Sequence, residues 1–244
     1  MDERATAVGG GMRSVHVVQI VLAAVLALTL PAGAVARFGF DTDRGVTADR
    51  ASVVFFLAIV ALLSTPWWPL PSERGRSTFD RVQSMCFVWF AITFTTHVTW
   101  ELGWLVLHDQ IVESPDSAWA YIWWMYIDGG DGRYATSDPT LVTQEILSVI
   151  NGIVGFSGLF VWWRSKGASA MATLLLMSTA VVHLYSTAVY FGSEIFDGYP
   201  NVETESFVDL WVKFLLLNGI WLVMPWVVLS WGWRTINRQL RSVA

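Results

Sequence analysis

The sequence predicts an all-α integral membrane protein, a bundle of six transmembrane helices. Three observations predict it. The 244 residues are 54% hydrophobic and 14% charged, with a mean hydropathy of +0.49, whereas charged residues make up about a quarter of a soluble domain. Six apolar segments each supply the roughly 20 residues that a helix needs to cross a hydrocarbon core. Fifteen tryptophans are far more than a soluble chain of this length carries, and Trp collects at membrane interfaces and in ligand pockets. Backbone polar groups in lipid must pair within their own segment, so the spans are helices and not strands.

In chain order the spans are 15–36, 52–70, 82–107, 142–164, 169–191 and 211–232. Residues 1–14 precede the first as a short polar N-terminus. The first span, within "GGGMRSVHVVQIVLAAVLALTLPAGAVARF", also has the Arg, apolar stretch and small-residue end of a cleavable signal peptide; a retained helix is the expectation. Placing the N-terminus in the cytoplasm and alternating puts Arg4, Arg13, Arg74, Arg76, Arg81, Arg164, Lys166, Arg234, Arg238 and Arg241 on the cytoplasmic side. Arg37, Arg44, Arg50, Arg133 and Lys213 fall on the other. That asymmetry follows the positive-inside rule, so both termini are expected in the cytoplasm. Loops 108–141 and 192–210 are acidic, aromatic and on one non-cytoplasmic side, where they can lid a cavity between helices.

Several function classes drop out. Cys86 is the single cysteine, so no internal disulfide or cysteine-based cluster exists. There is no phosphate-binding glycine loop and no basic patch of the nucleic-acid-binding kind. No internal repeat is visible, which weighs against a transporter built from inverted repeats.

What remains is a set of polar residues inside the spans. The third carries His97 and Glu101 in "HVTWELGW", with Trp104 beside them. The fourth carries Glu145 and Ser148, the fifth His183 and Tyr185, the sixth Asn218 and Trp221. A lone intramembrane His or Asn more often joins helices by hydrogen bonding than does chemistry, and His183 is read that way. Carboxylates differ: each costs at least about 2–3 kcal/mol to insert and tends to mark a functional cavity. All these groups fall in one layer near the non-cytoplasmic ends of their spans. The i, i+4 spacing of His97 and Glu101 and the i, i+3 spacings of Glu145 with Ser148 and Asn218 with Trp221 give each pair a common helix face.

Two carboxyls and a His in an apolar, aromatic pocket suit proton transfer, since their environments can split the pair into one acid and one base. An indole face stabilises a developing cation. Together these describe a carbocation reaction on a lipid, such as a double-bond shift or a cyclisation; the same parts would bind a cationic amphiphile. No metal is expected, because the four-helix carboxylate pattern needs Glu-x-x-His pairs and none occurs. No cofactor is expected either.

At these residues the sequence resembles the emopamil-binding protein family of sterol delta-eight to delta-seven isomerases, within the EXPERA superfamily. Four segments carry the resemblance: "HVTWELGW", "DGRYATSDPTLVTQEILSVINGIVG", "LYSTAVYFGSEIFDGY" and "FVDLWVKFLLLNGIWLVMPWVVL". It implies a five-helix core with an extra N-terminal helix at 15–36, and an EXPERA membrane domain over residues 52–240. It implies an intramolecular isomerase that protonates a ring double bond and removes a neighbouring proton, with His97, Glu101 and Glu145 as acid–base residues. Ser148, Asn218, Trp221, Trp104, Tyr185 and Tyr190 are the implied substrate-binding residues. The implied partner is a sterol or other polycyclic terpenoid in the bilayer, and a homodimer is left open. The alternative is a non-catalytic sterol or amphiphile binder of the same superfamily. Thr187 stands where the family has an Asp, and the family's basic tail is missing, which leaves retention in the endoplasmic reticulum without support. The expected location is the inner membrane of a bacterium or the endoplasmic reticulum of a eukaryote.

Overall fold

The computed structural model describes residues 14–241, so residues 1–13 of the expected cytoplasmic N-terminus lie outside it. Among the described residues the chain forms helices and turns and no strand. Five helical stretches are long and apolar enough to cross a membrane: Ser14–Phe40, Arg44–Trp67, Pro139–Arg164, Ala170–Asp197 and Val208–Arg241. The predicted span at 82–107 is helical throughout but falls outside that group. Thr93, Thr95, Thr96, His97 and Glu101 thin its hydropathy at the point where the site is built.

Helix α1 (Ser14–Phe40) leaves Ile20, Val21, Leu28 and Val35 more than half exposed, as a helix that faces lipid on one side must. Helix α2 (Arg44–Ser64) begins eight residues before the predicted span, because its start is set by a cap. Asp43 accepts the Val46 amide, one of the donors that a helix N-terminus leaves unpaired. Apolarity marks where lipid begins, whereas the cap marks where the helix begins.

Helix α3 (Thr78–Thr96) is capped by Ser77 and passes into a π-helical stretch, His97–Glu101, and then α4 (Leu102–Glu113) without a break. A second π stretch, Val208–Leu216, leads into α8 (Leu217–Arg241). Wide π turns are rare and occur mostly at functional sites. The backbone groups they loosen find partners here: the Trp123 indole donates to the Trp100 carbonyl at 3.0 Å, and the Asn218 amide donates to the Phe214 and Lys213 carbonyls at 2.7 and 3.1 Å.

The two outer loops are more ordered than their composition suggests. The first contains α5 (Tyr121–Ile127) and a 3-10 turn, Gly132–Ala135. It meets the second through Gly132 N to Asn201 O at 2.8 Å and Glu203 N to Gly129 O at 2.9 Å. Buried charges pin both. Arg133 pairs with Asp131 at 2.6 Å and Glu194 at 3.4 Å, and these partners hold its guanidinium above the usual arginine range against burial, so it stays charged. Arg44 ties α2 to Asp128 at 2.6 Å. Lys213 pairs with Asp209 and, at 3.0 Å, with Asp49.

Helices α6 (Pro139–Arg164) and α7 (Ala170–Asp197) pack on one another, and α7 packs on α8. Gly152 lets α6 come close to the π stretch: a Cβ there would sit 2.8 Å from that of His97. Two aromatic clusters result, one around Trp89, Phe90 and Trp231, the other around Trp104, Tyr134 and Phe214. The polar layer lies between them.

Candidate active site

The π stretch presents His97 and Glu101 on one face, with 1% and 9% of their surfaces exposed. His97 Nδ1 lies 2.5 Å from Glu101 Oε2. On the other side of the ring, His97 Nε2 lies 2.8 Å from Nε2 of His183 on α7. Two facing imidazole nitrogens form a hydrogen bond only when one carries a proton and the other does not. Thr93, one turn before His97, completes the group. An indole N–H can only donate, so Thr93 Oγ1 accepts from Trp221 Nε1 at 2.8 Å. Its own proton then faces His97 Nε2 at 3.1 Å and His183 Nε2 at 3.4 Å.

Glu145 stands across from this array in α6, 5% exposed. The Tyr134 hydroxyl donates to its Oε1. Burial and the neighbouring carboxylates hold the Tyr134 phenol well above its ordinary range, so it remains a donor. Tyr126 and Tyr190 share a hydrogen bond at 2.7 Å, and Asn218 donates to Tyr126 at 2.8 Å.

Two spaces meet at this layer. One is a cavity of about 1150 Å³ bounded by α1, α2, α3, the outer loop and α8. It follows α1 from His16 to Pro31, about 22 Å at the helical rise per residue. Its lining is mostly apolar, with scattered polar residues such as His16, Gln19, Ser52 and Thr96 and a group formed by Glu101, Tyr126, Tyr134 and Asn218. The other is a polar chamber of about 70 Å³ between α6 and α7, lined by Glu145, Gln144, Ser148, His183, Thr187 and Tyr190 among others. Glu101, Tyr134, Asn218 and Trp221 line both and form the partition.

The structure therefore brings His97, Glu101, Glu145, Ser148, Asn218, Trp221 and Tyr190 together. Two expected binding residues stand elsewhere. Tyr185 is 68% exposed on the outer face of α7, two residues from His183 and so turned away from it on the helix. Trp104 is wholly buried and lines neither space; its indole donates to the Tyr134 carbonyl at 3.0 Å, and its ring packs on Tyr134, so it holds that tyrosine in place. His183, read from sequence as helix glue, touches the His97 ring directly. Thr93 and Tyr134 were not singled out. Thr93 could have been found four residues before His97 on the same face, and Tyr134 stands in the "DGRYATSD" segment that carries the resemblance, although its contact with Glu145 is not legible there. Among the described residues no three His, Cys, Asp or Glu groups converge as metal ligands do.

Comparison with known proteins finds one matching family profile and several related chains. Residues 122–231 match the family profile described as EBP, the expanded EBP (EXPERA) superfamily. The match spans 110 of the 244 residues, so the chain is similar to that family over a little less than half its length. The matched stretch includes Tyr134, Glu145, His183, Asn218 and Trp221, and the His97–Glu101 stretch precedes it. The 3-beta-hydroxysteroid-Delta(8),Delta(7)-isomerase of Rattus norvegicus is 27% identical over 161 residues, 66% of this chain and 68% of that protein. The Cavia porcellus protein of the same name is 27% identical over 197 residues, 79% and 82% of the two chains. Isomeliandiol synthase of Melia azedarach is 24% identical over 181 residues, 74% and 81%. The chain is a multi-pass membrane protein similar in sequence to sterol isomerases.

Proposed function

We propose that this protein belongs to the EBP family and is an intramolecular isomerase that shifts a carbon–carbon double bond in a sterol or related polycyclic terpenoid. The observation that carries the reading is the placement of Glu101, hydrogen-bonded to His97, on the wall of a long apolar cavity that also presents Tyr134, the donor to Glu145. One carboxyl group in its acid form delivers a proton to one alkene carbon, directly or through the Tyr134 hydroxyl. The electron pair of the double bond forms the new C–H bond and leaves a cation on the adjacent carbon. The other site base takes a proton from the next carbon, and that C–H pair becomes the new double bond. The Trp221 ring, held by its N–H on Thr93, lines the cavity where the cation develops. Low polarity around the partition strengthens these interactions.

The cavity's length and apolar lining match a rigid ring system with an alkyl tail, which enters from the bilayer. The names of the relatives support a sterol, and the isomeliandiol synthase supports a wider terpenoid range. The excess of Arg and Lys on one side supports cytoplasmic termini.

The test is turnover in nanodiscs with a delta-eight sterol in deuterated water, read by mass spectrometry. A shifted double bond with one solvent deuterium in the product is expected. Saturable sterol binding without turnover would instead establish the binding-protein reading.

A further inference from the structure

The small chamber behind the partition holds no substrate in the mechanism above, yet buried polar atoms converge on it. Glu145 Oε2, His183 Nδ1 and both side-chain atoms of Gln144 have no hydrogen-bond partner among the described groups. All three residues are more than nine-tenths buried, and all three line the chamber. An unpaired buried polar atom is costly, and four around one space call for a shared polar ligand. The space is about 70 Å³, room for about two waters, each of which needs two to four polar partners. The chamber offers a carboxylate and an amide from α6 and an imidazole from α7, with the hydroxyls of Ser148 and Thr187 also in its lining.

We propose that this chamber is a water site, and that its water and His183 together return a proton between Glu145 and Glu101 after each turnover. The idea rests on the isomerase reading. An isomerase that protonates with one carboxyl and deprotonates with another ends each cycle with the proton on the wrong group. The return path is drawn by contacts: Glu145 Oε2, chamber water, His183 Nδ1, His183 Nε2, His97 Nε2 at 2.8 Å, His97 Nδ1, and Glu101 Oε2 at 2.5 Å. Each water and each imidazole accepts a proton on one side as it releases one on the other. The sum is one proton lost by one carboxyl and one gained by the other, with no net charge left on the rings. His183 lines the chamber and not the large cavity, so it acts through His97 and water and not on the substrate.

Two measurements on the full chain in nanodiscs test this. The first uses protein with ¹⁵N-labelled histidine and looks for magnetisation transfer from water to the His183 ring. A cross-peak is expected, and it should disappear in Thr187→Leu, which fills the chamber. Absence of the cross-peak in the wild type overturns the water site, whether or not the protein turns over a sterol.

The second offers a delta-eight sterol deuterated at the carbon that loses its proton, mixed with unlabelled sterol in ordinary water. Part of the departing deuterium should reappear at the newly protonated carbon of other product molecules. His183→Gln keeps an N–H donor for His97 but cannot relay a proton. It should abolish the transfer and lower kcat by about tenfold or more, with KM within about twofold of the wild type, the pattern of a step after binding. Thr187→Leu should behave alike, with thermal melting checking that both variants fold. Wild-type transfer and kcat in His183→Gln overturn the relay. A wild type that turns over no sterol defeats the isomerase reading and the relay with it, while the water cross-peak still decides the chamber.

Discussion

The large cavity and the small chamber share four residues and little else. The cavity is mostly apolar and bounded by α1, which turns one side to lipid; the chamber is more polar and lies between α6, α7, α8 and the π stretch, which Gly152 lets α6 approach closely. The cavity suits a lipid that must enter and leave, where apolar burial gives affinity without direction. The chamber suits groups that must stay fixed, because in a water-poor interior proton transfer depends on donors and acceptors already in place. On the proposed function, the difference would separate binding from proton handling at the partition, so substitutions on its two sides should separate KM from kcat.

The largest effect should come from the partition and the group behind it. Glu101→Gln and Glu145→Gln are each expected to lower kcat by about 10²–10⁴-fold, the usual contribution of a general acid or base, while sterol binding is retained. Near wild-type turnover in both would remove the acid–base assignment. Tyr134→Phe leaves the buried Glu145 Oε1 without its donor. A loss of about 1–3 kcal/mol in transition-state stabilisation is expected, read from kcat/KM. A larger loss in kcat than in binding would place the phenol in the chemistry.

Within the partition, Trp221→Leu should weaken binding of a cationic ammonium amphiphile by about 0.5–2 kcal/mol, measured by displacement of a bound sterol. Equal affinity in the variant would remove the cation–π role. Gly152→Ala would force a Cβ to within 2.8 Å of that of His97. It should destabilise the protein by about 1–3 kcal/mol in thermal melting, and lower kcat more than sterol affinity. The smallest effect belongs to Tyr185→Ala, expected within about 0.5 kcal/mol in stability and in sterol binding, because Tyr185 faces outward. A clear loss of sterol affinity there would return Tyr185 to the site.

Legibility varied with the kind of signal. Long apolar runs made the helices readable, and charged residues among them made Glu101 and Glu145 readable, because a carboxylate within a membrane span costs free energy whatever its neighbours in sequence. Helix ends were less readable where a cap outside the apolar run set them, as Asp43 does for α2. Tyr185 and His183 show the limit within one helix: both are polar residues in an apolar span, yet one meets lipid and the other meets His97, since only the packing of α7 against its neighbours fixes which face turns inward.

By itself, then, the sequence determined an all-helical membrane protein with a band of ionisable and aromatic residues at one depth, because hydropathy, charge placement and helical spacing are local quantities. The tertiary structure alone decided that His97 and His183 share a hydrogen bond, that Tyr134 descends from a loop onto Glu145, and that Trp104 supports that tyrosine from outside both spaces. Those facts depend on how far two π turns widen and how closely α6 approaches them, and no window of sequence holds both partners of such a contact.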